Sequence, residues 1–196
     1  RSWTAAQAAR AAGAVYGGLI FEEASPRNVS RETAQNIIAH EPDLLYVAVS
    51  RRTSNFEKLA LDGIHAIQLH APYQGSVEAE RALIEEARKH SNHVWRAIDM
   101  TAPHAPELVA ALADVADLLV LDTGSGGTGE TFDWSTVPAG IPALLAGGLN
   151  LTNLEQALAV GTIGLDLNSG LETPRGKDSG LIARAFSTIR NYKKQY

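Results

Sequence analysis

The chain has 196 residues, of which 45% are hydrophobic and 20% are charged, values typical of an ordinary globular domain. Its formal net charge of -5 argues against general nucleic-acid binding, and no apolar run is long enough to span a bilayer. The sequence contains no cysteine, which excludes disulfides, thiolate metal ligands and a cysteine nucleophile from these residues. We therefore expect a cytoplasmic protein that folds as one domain over residues 1–196.

Helical and strand-like segments alternate along the chain. The predicted helices are 4–12, 31–40, 54–61, 76–90, 106–113, 153–159 and 178–192, with a single helical turn at 132–136. The predicted strands are the apolar runs 14–21, 44–49, 66–69, 93–98, 118–121, 143–146 and 164–167. Continuous apolar runs are typical of parallel strands that are covered on both faces. They fit an open doubly wound sheet or a closed barrel.

The start of the chain favours the barrel. No G-x-G-x-x-G motif follows the first predicted strand, which argues against a dinucleotide-binding sheet. Seven strands alternate with helices, and a helix comes first. The fold class predicted is therefore α/β, a (β/α)8 TIM barrel whose first β-strand is missing from these residues.

One carboxylate stands where such barrels place their chemistry. The apolar run 118–121 ends at Asp122, which leads into a glycine-rich loop at 124–129. Active sites of β/α barrels lie at the carboxyl ends of the strands, and partial burial there raises the pKa of a carboxylic acid. Asp122 is therefore a candidate general acid, although an Asx-turn or a cap for the glycine-rich loop would also explain it.

Two later strand ends have the composition of phosphate-binding loops. Gly147 and Gly148 follow one strand, and Asn168, Ser169 and Gly170 follow the next. Backbone N–H groups in such turns bind phosphate without positively charged side chains. Each loop alone could be a tight turn, but two in succession favour a phosphate site.

Motifs along most of the chain resemble a known family. They are Tyr-Gly-Gly-Leu-Ile-Phe at 16–21, Ser-Pro-Arg at 25–27 with Val29, Gln-Leu-His at 68–70, Leu-Asp at 121–122 with Gly-Gly-Thr-Gly at 126–129 and Phe-Asp-Trp at 132–134, Leu-Ala-Gly-Gly-Leu at 145–149 and Gly-Leu-Asp-Leu-Asn-Ser-Gly-Leu-Glu at 164–172. Their order and spacing resemble phosphoribosylanthranilate isomerase, a (β/α)8 enzyme of tryptophan biosynthesis. The resemblance is closest to the form fused behind indole-glycerol-phosphate synthase, so an upstream fused domain is expected, although a stand-alone enzyme would also fit.

The resemblance implies an Amadori rearrangement by one acid and one base. N-(5'-phosphoribosyl)anthranilate becomes 1-(2-carboxyphenylamino)-1-deoxyribulose 5-phosphate, without a metal or cofactor. The partner would be this small phosphorylated substrate, with no nucleic acid and no membrane. Asp122 matches the general acid of the family. The base of the family is a cysteine on the first barrel strand, which we expect ahead of Arg1.

The resemblance also assigns further substrate-binding residues. Arg27 matches an arginine that pairs with the anthranilate carboxylate, which a guanidinium fork suits, although most loop arginines are simply solvated. Gln68 and His70 end a predicted strand, where a lone histidine is more often structural. Asp166 would orient the phosphate loops or the sugar. Arg96, inside a predicted strand, is expected to point inward and to pair with a carboxylate.

Other functions remain open at this stage. A related phosphate-binding isomerase of histidine biosynthesis would use an aspartate at the end of its first strand as base. Indole-glycerol-phosphate synthase would show lysine and glutamate pairs at strand ends, and none is evident. A catalytically dead barrel that binds a phosphorylated ligand is the alternative that is not an enzyme.

Overall fold

A computed structural model describes residues 2–124 and 129–192. The chain forms two compact units, one of Arg1–Ala97 with Asp114–Asp117 and one of Ile98–Ala113 with Leu118–Tyr196. Residues 125–128, the centre of the predicted glycine-rich loop, lie outside the described residues.

The first unit alternates helices with parallel strands. Its elements are α1 (Trp3–Ala12), β1 (Tyr16–Ile20), α2 (Arg31–His40), β2 (Leu45–Ser50), β3 (Ile64–Leu69), α3 (Val77–Arg88) and most of β4 (Val94–Asp99). Each helix begins after a serine whose side chain accepts a backbone N–H, namely Ser2, Ser30 and Ser76. Leu19, Ile37 and Tyr46 belong to a buried apolar cluster that packs α2 against β1 and β2.

The second unit repeats this arrangement and adds a small hairpin. Its elements are α4 (Ala105–Leu112), β5 (Leu118–Asp122), β6 (Ala143–Leu145), α5 (Leu154–Ala159), β7 (Gly164–Leu165), β8 (Glu172–Thr173), β9 (Gly176–Lys177) and α6 (Ser179–Tyr192). The antiparallel pair β8 and β9 was not predicted, because each strand has only two residues. This hairpin directly follows the predicted phosphate loop at 168–170.

The strand order distinguishes the two predicted architectures. In the first unit the order is β1-β2-β3-β4, and in the second it is β5-β6-β7, with every described pairing of these strands parallel. A doubly wound sheet reverses direction about its first strand, whereas β/α barrels keep the sequential order. The α/β class with sequential parallel strands is therefore confirmed.

The predicted helix at 54–61 is wrong. Only Phe56–Lys58 forms a helical turn, and it is of the 3-10 type. Asn55 has φ 57°, outside the right-handed helical region, so a helix cannot run through it. The apolar residues that suggested a helix, Phe56, Leu59 and Leu61, are instead buried within a tight connection between β2 and β3.

No described helix combines the length and the apolar character needed to cross a membrane. Within residues 2–124 and 129–192, no three histidine, aspartate or glutamate side chains converge in a way that could hold a metal ion.

Candidate active site

Asp122 is a buried acid at the carboxyl end of β5. All five residues of β5 are buried because the strand is apolar up to its last position, and Asp122 itself is 8% exposed. The N–H of Thr123 donates to Asp122 Oδ1 over 2.7 Å. Burial raises the pKa of Asp122, and the hydrogen bonds from Thr123 only partly oppose this rise. The carboxyl group is therefore suited to hold a proton and to donate it in a reaction.

A second carboxylate, Asp99, lies at the end of β4. Its Oδ1 accepts the N–H of Thr101 and the N–H of Gly124, each over 2.9 Å, and the Thr101 hydroxyl over 2.6 Å. Burial would raise the pKa of Asp99, but these hydrogen bonds outweigh it, so the pKa is lowered. Sequence reasoning missed Asp99, which comes at the end of a predicted strand as Asp122 does but follows a run that Arg96 interrupts.

The loop after β6 lies against the candidate acid. A side chain at Gly147 would stand 3.0 Å from Asp122 Oδ1, which shows how closely the backbone approaches that oxygen. The amide groups of Asn150 and Asn153 each donate to the Gly148 carbonyl over 3.0 Å. Side chains of the same loop therefore hold the turn at Gly147 and Gly148, and the backbone of Gly147 lies beside the Asp122 carboxyl group.

The loop after β7 contacts the loop after β6. Gly170 lies so close to the Leu149 carbonyl and to Asn150 that a Cβ atom there would overlap the carbonyl and stand 2.8 Å from Asn150 Cα. Asp166 is half-buried at the end of β7, and its N–H donates to the Leu145 carbonyl over 2.8 Å. The structure therefore brings the two predicted phosphate loops together, and the first of them lies beside Asp122.

Lys177 of the hairpin supports the same loop, and sequence reasoning missed it. Its Nζ donates to the Asn168 carbonyl over 2.8 Å and to Asn168 Oδ1 over 2.7 Å, and it pairs with Glu172 at 2.9 Å. Glu172 lies on β8 and Lys177 on β9, so the hairpin holds the ammonium group of Lys177 next to Asn168. Its only signal in sequence would have been a lysine shortly after the Asn-Ser-Gly run.

The other predicted binding residues lie in the first unit. Arg27 is half-buried in the loop after β1, where its N–H donates to Ser25 Oγ over 3.1 Å. Gln68 is buried in β3, and the N–H of His70 donates to the Ser50 carbonyl over 2.8 Å as β3 ends. Gln68 and His70 lie at the carboxyl end of β3 and Arg27 lies in the loop that follows β1, whereas Asp122 and the glycine loops belong to the second unit.

A buried ion pair holds the segment that carries His70. Arg96 Nε contacts Glu80 Oε2 over 2.7 Å, and both side chains are almost fully buried between β4 and α3. Arg96 also donates to the carbonyls of Leu69 (3.2 Å) and Ala71 (2.9 Å). The structure bears out the expected burial of this charge and its pairing with a carboxylate, and the partner, Glu80, lies on α3.

The fold and this geometry define a class of protein. Sequential parallel strands alternate with helices, a buried acid ends one strand, and two touching glycine loops follow the next two strands. These are features of phosphate-binding β/α enzymes. Residues 1–188 match the family model described as N-(5'-phosphoribosyl)anthranilate (PRA) isomerase. The chain belongs to this family.

Relatives and solved structures agree with this family. The chain is 58% identical to the tryptophan biosynthesis protein TrpCF of Corynebacterium glutamicum, covering 96% of this chain and 42% of the relative. It is 41% identical to TrpCF of Salmonella typhi, covering 95% of this chain and 41% of the relative. It therefore spans about two fifths of the length of these curated relatives.

Two solved isomerases share the fold over almost their full length. The phosphoribosyl anthranilate isomerase of Thermus thermophilus is 27% identical, with a TM-score of 0.79 over 96% of this chain and 94% of that one. The isomerase of Pyrococcus furiosus is 26% identical, with a TM-score of 0.76 over 97% and 94%.

Proposed function

We propose that the protein isomerises N-(5'-phosphoribosyl)anthranilate to 1-(2-carboxyphenylamino)-1-deoxyribulose 5-phosphate in tryptophan biosynthesis. The observation that carries the proposal is Asp122, a buried acid of raised pKa beside the glycine loop after β6, which in turn touches the loop after β7. The membership of the chain in the isomerase family supports the same reaction. It disfavours the related isomerase of histidine biosynthesis and a barrel without catalytic function.

The first chemical step uses Asp122. Its proton passes to the ring oxygen of the ribose, the bond from that oxygen to C1' breaks, and a Schiff base forms with the anthranilate nitrogen. Because burial favours the neutral acid, the proton is available at a higher pH than from an exposed aspartate.

The second step removes the proton from C2' and produces the enol that becomes the ketose. The family resemblance assigns this step to a cysteine at the end of the first barrel strand, and the 196 residues contain no cysteine. We propose a single (β/α)8 barrel domain over 1–196 in which β1 to β7 serve as the second to eighth strands, and in which the strand that bears the cysteine completes the barrel. The length of the TrpCF relatives supports a further proposal, a fused indole-glycerol-phosphate synthase domain in the same cytoplasmic protein.

The loops after β6 and β7 bind the substrate phosphate in this proposal. The backbone of Gly147 and Gly148 and the segment from Asn168 to Gly170 offer N–H groups, and Lys177 adds a cation beside Asn168. Arg27 pairs with the anthranilate carboxylate, while Gln68, His70 and Asp166 contact the rest of the substrate.

Substitution of Gly170 tests the phosphate loops. In Gly170→Ala the new methyl group overlaps the Leu149 carbonyl, so the two loops must separate. We expect KM for N-(5'-phosphoribosyl)anthranilate to rise about tenfold and the free energy of unfolding to fall by about 1–3 kcal/mol. Steady-state kinetics and urea unfolding measure both. Gly18→Ala is the stability control, because its Cβ would lie 3.8 Å from Val49, an ordinary contact. An unchanged KM in Gly170→Ala would contradict the phosphate assignment.

The reaction itself is tested with the intact protein. N-(5'-phosphoribosyl)anthranilate is supplied, and its conversion is followed by the change in anthranilate fluorescence. We expect turnover in the wild type and in Asp114→Asn, which changes an exposed aspartate. Binding of the substrate without turnover would support the catalytically dead barrel, and turnover only of the substrate of the histidine-biosynthesis isomerase would support that enzyme.

A further inference from the structure

We propose that Asp99 is a positioning residue for Asp122: its carboxylate holds the backbone around the acid and places a fixed negative charge near it. The proposal rests on the function proposed above, since it concerns the same acid. It adds a residue that neither the motifs nor the family resemblance assigns.

The ends of β4 and β5 are tied together at Asp122 and just after it. The N–H of Met100 donates to the Asp122 carbonyl over 2.9 Å, as neighbouring strands would. The N–H of Gly124 donates to the Asp99 side chain over 2.9 Å, which strand pairing does not require. The 99–100 segment therefore holds the backbone from the Asp122 carbonyl to the Gly124 N–H.

The approach of Gly124 to Asp99 depends on the absence of a side chain. Gly124 has φ 43°, and a Cβ atom there would stand 3.2 Å from Asp99 Oδ2. On the other side, the backbone and hydroxyl of Thr101 hold Asp99 Oδ1. Three donors on one oxygen fix the carboxylate in place and stabilise its ionised form.

The environments of the two carboxyl groups drive their pKa values apart. The hydrogen bonds keep the pKa of Asp99 low despite burial, and His104 at the start of α4 favours ionisation further. Burial is the main cause of the raised pKa of Asp122, and the charge of Asp99 adds to it. Carboxyl pairs separated in this way are a usual means of keeping one acid protonated.

The first test uses a readout that does not depend on turnover. The Asp Cγ carbons of the intact protein are labelled with 13C, and Asp122 is titrated by NMR in the wild type and in Asp99→Asn. Asparagine keeps an oxygen for Gly124 but removes the charge. We expect the pKa of Asp122 to fall in Asp99→Asn and to stay unchanged in the exposed control Asp114→Asn. An unchanged titration of Asp122 in Asp99→Asn would overturn the proposal.

Kinetics then separate charge from position. We expect kcat/KM to fall about tenfold in Asp99→Asn and about a hundredfold in Asp99→Ala, which also loses the contact with Gly124, because a shift of about 1 Å in a reacting group costs that much. The alkaline limb of the pH profile should move to lower pH in both variants. Equal kcat/KM values for the wild type and both variants would overturn the proposal. Absence of turnover in the wild type would instead refute the proposed function, and the NMR titration would then decide the role of Asp99.

Thr101→Val keeps the test decisive if Asp99 variants do not fold. It removes the hydroxyl donor to Asp99 and leaves the carboxylate in place. We expect Asp99 to titrate at higher pH and the titration of Asp122 to change with it, because coupled groups titrate together. If Asp122 titrated identically in Thr101→Val and in the wild type, the proposal would be overturned.

Discussion

Asp122→Asn is expected to lower kcat/KM for N-(5'-phosphoribosyl)anthranilate by about 10²- to 10⁴-fold, the usual contribution of a general acid. Asparagine preserves the size of the side chain and an oxygen that can accept the Thr123 N–H, so the loss would reflect the missing proton rather than a changed shape. Steady-state kinetics of the intact protein measure it. Asp114→Asn, the same exchange at an exposed position, should be within twofold of the wild type.

The same substitution should stabilise the fold at neutral pH. The pKa of Asp122 is higher in the folded state than in the unfolded chain, so its favourable contribution is fully present below the unfolded value of about 3.9 and is lost as the pH rises through the folded value. At pH 7 the wild type therefore bears the cost of a buried charge, which Asp122→Asn lacks. Thermal unfolding should show a higher Tm for the variant at pH 7 and a smaller difference at pH 4. If Asp122→Asn were as active as the wild type and no more stable at pH 7, Asp122 would not be the general acid.

Breaking the buried ion pair should be the most destabilising single change. Glu80→Ala leaves the Arg96 guanidinium buried without its carboxylate and is expected to cost about 3–5 kcal/mol of unfolding free energy. It also removes the acceptor for the Gln74 N–H, which lies 2.9 Å from Glu80 Oε1. Urea unfolding gives the loss, and a raised KM would report the disturbed segment around His70.

Two further variants serve as controls for this prediction. Lys89→Ala breaks the exposed pair with Glu86 and should cost less than about 1 kcal/mol. Replacing both Glu80 and Arg96 by apolar residues should recover much of the loss, because no buried charge then remains. A cost in Glu80→Ala no larger than that in Lys89→Ala would show that the pair contributes little.

The positions of the main site elements were predictable because they follow local rules. An apolar run that ends in one carboxylate identifies Asp122, and glycines after a strand identify the turn at Gly147 and Gly148. The continuous apolar runs likewise predicted seven parallel strands, since burial on both faces requires such runs.

Other residues of the site could not be found in this way. Asp99 acts on a loop 25 positions further along the chain, and Lys177 acts on Asn168 across a hairpin of two-residue strands. Neither belongs to a periodic pattern or a motif that marks its partner. Arg96 was correctly expected to be paired, but the direction of its side chain depends on which helix covers β4.

The sequence by itself determined the alternation of helices and strands, the strand end that bears the acid and the turns that can bind phosphate, because each depends on neighbouring residues and on backbone geometry. The tertiary structure alone decided that the loops after β6 and β7 touch and that the backbone of the first, at Gly147, lies against Asp122. It also decided that Asp99 is held ionised while Asp122 is buried. Burial and hydrogen bonding between distant segments set the pKa of a carboxyl group, and neither exists before the chain folds.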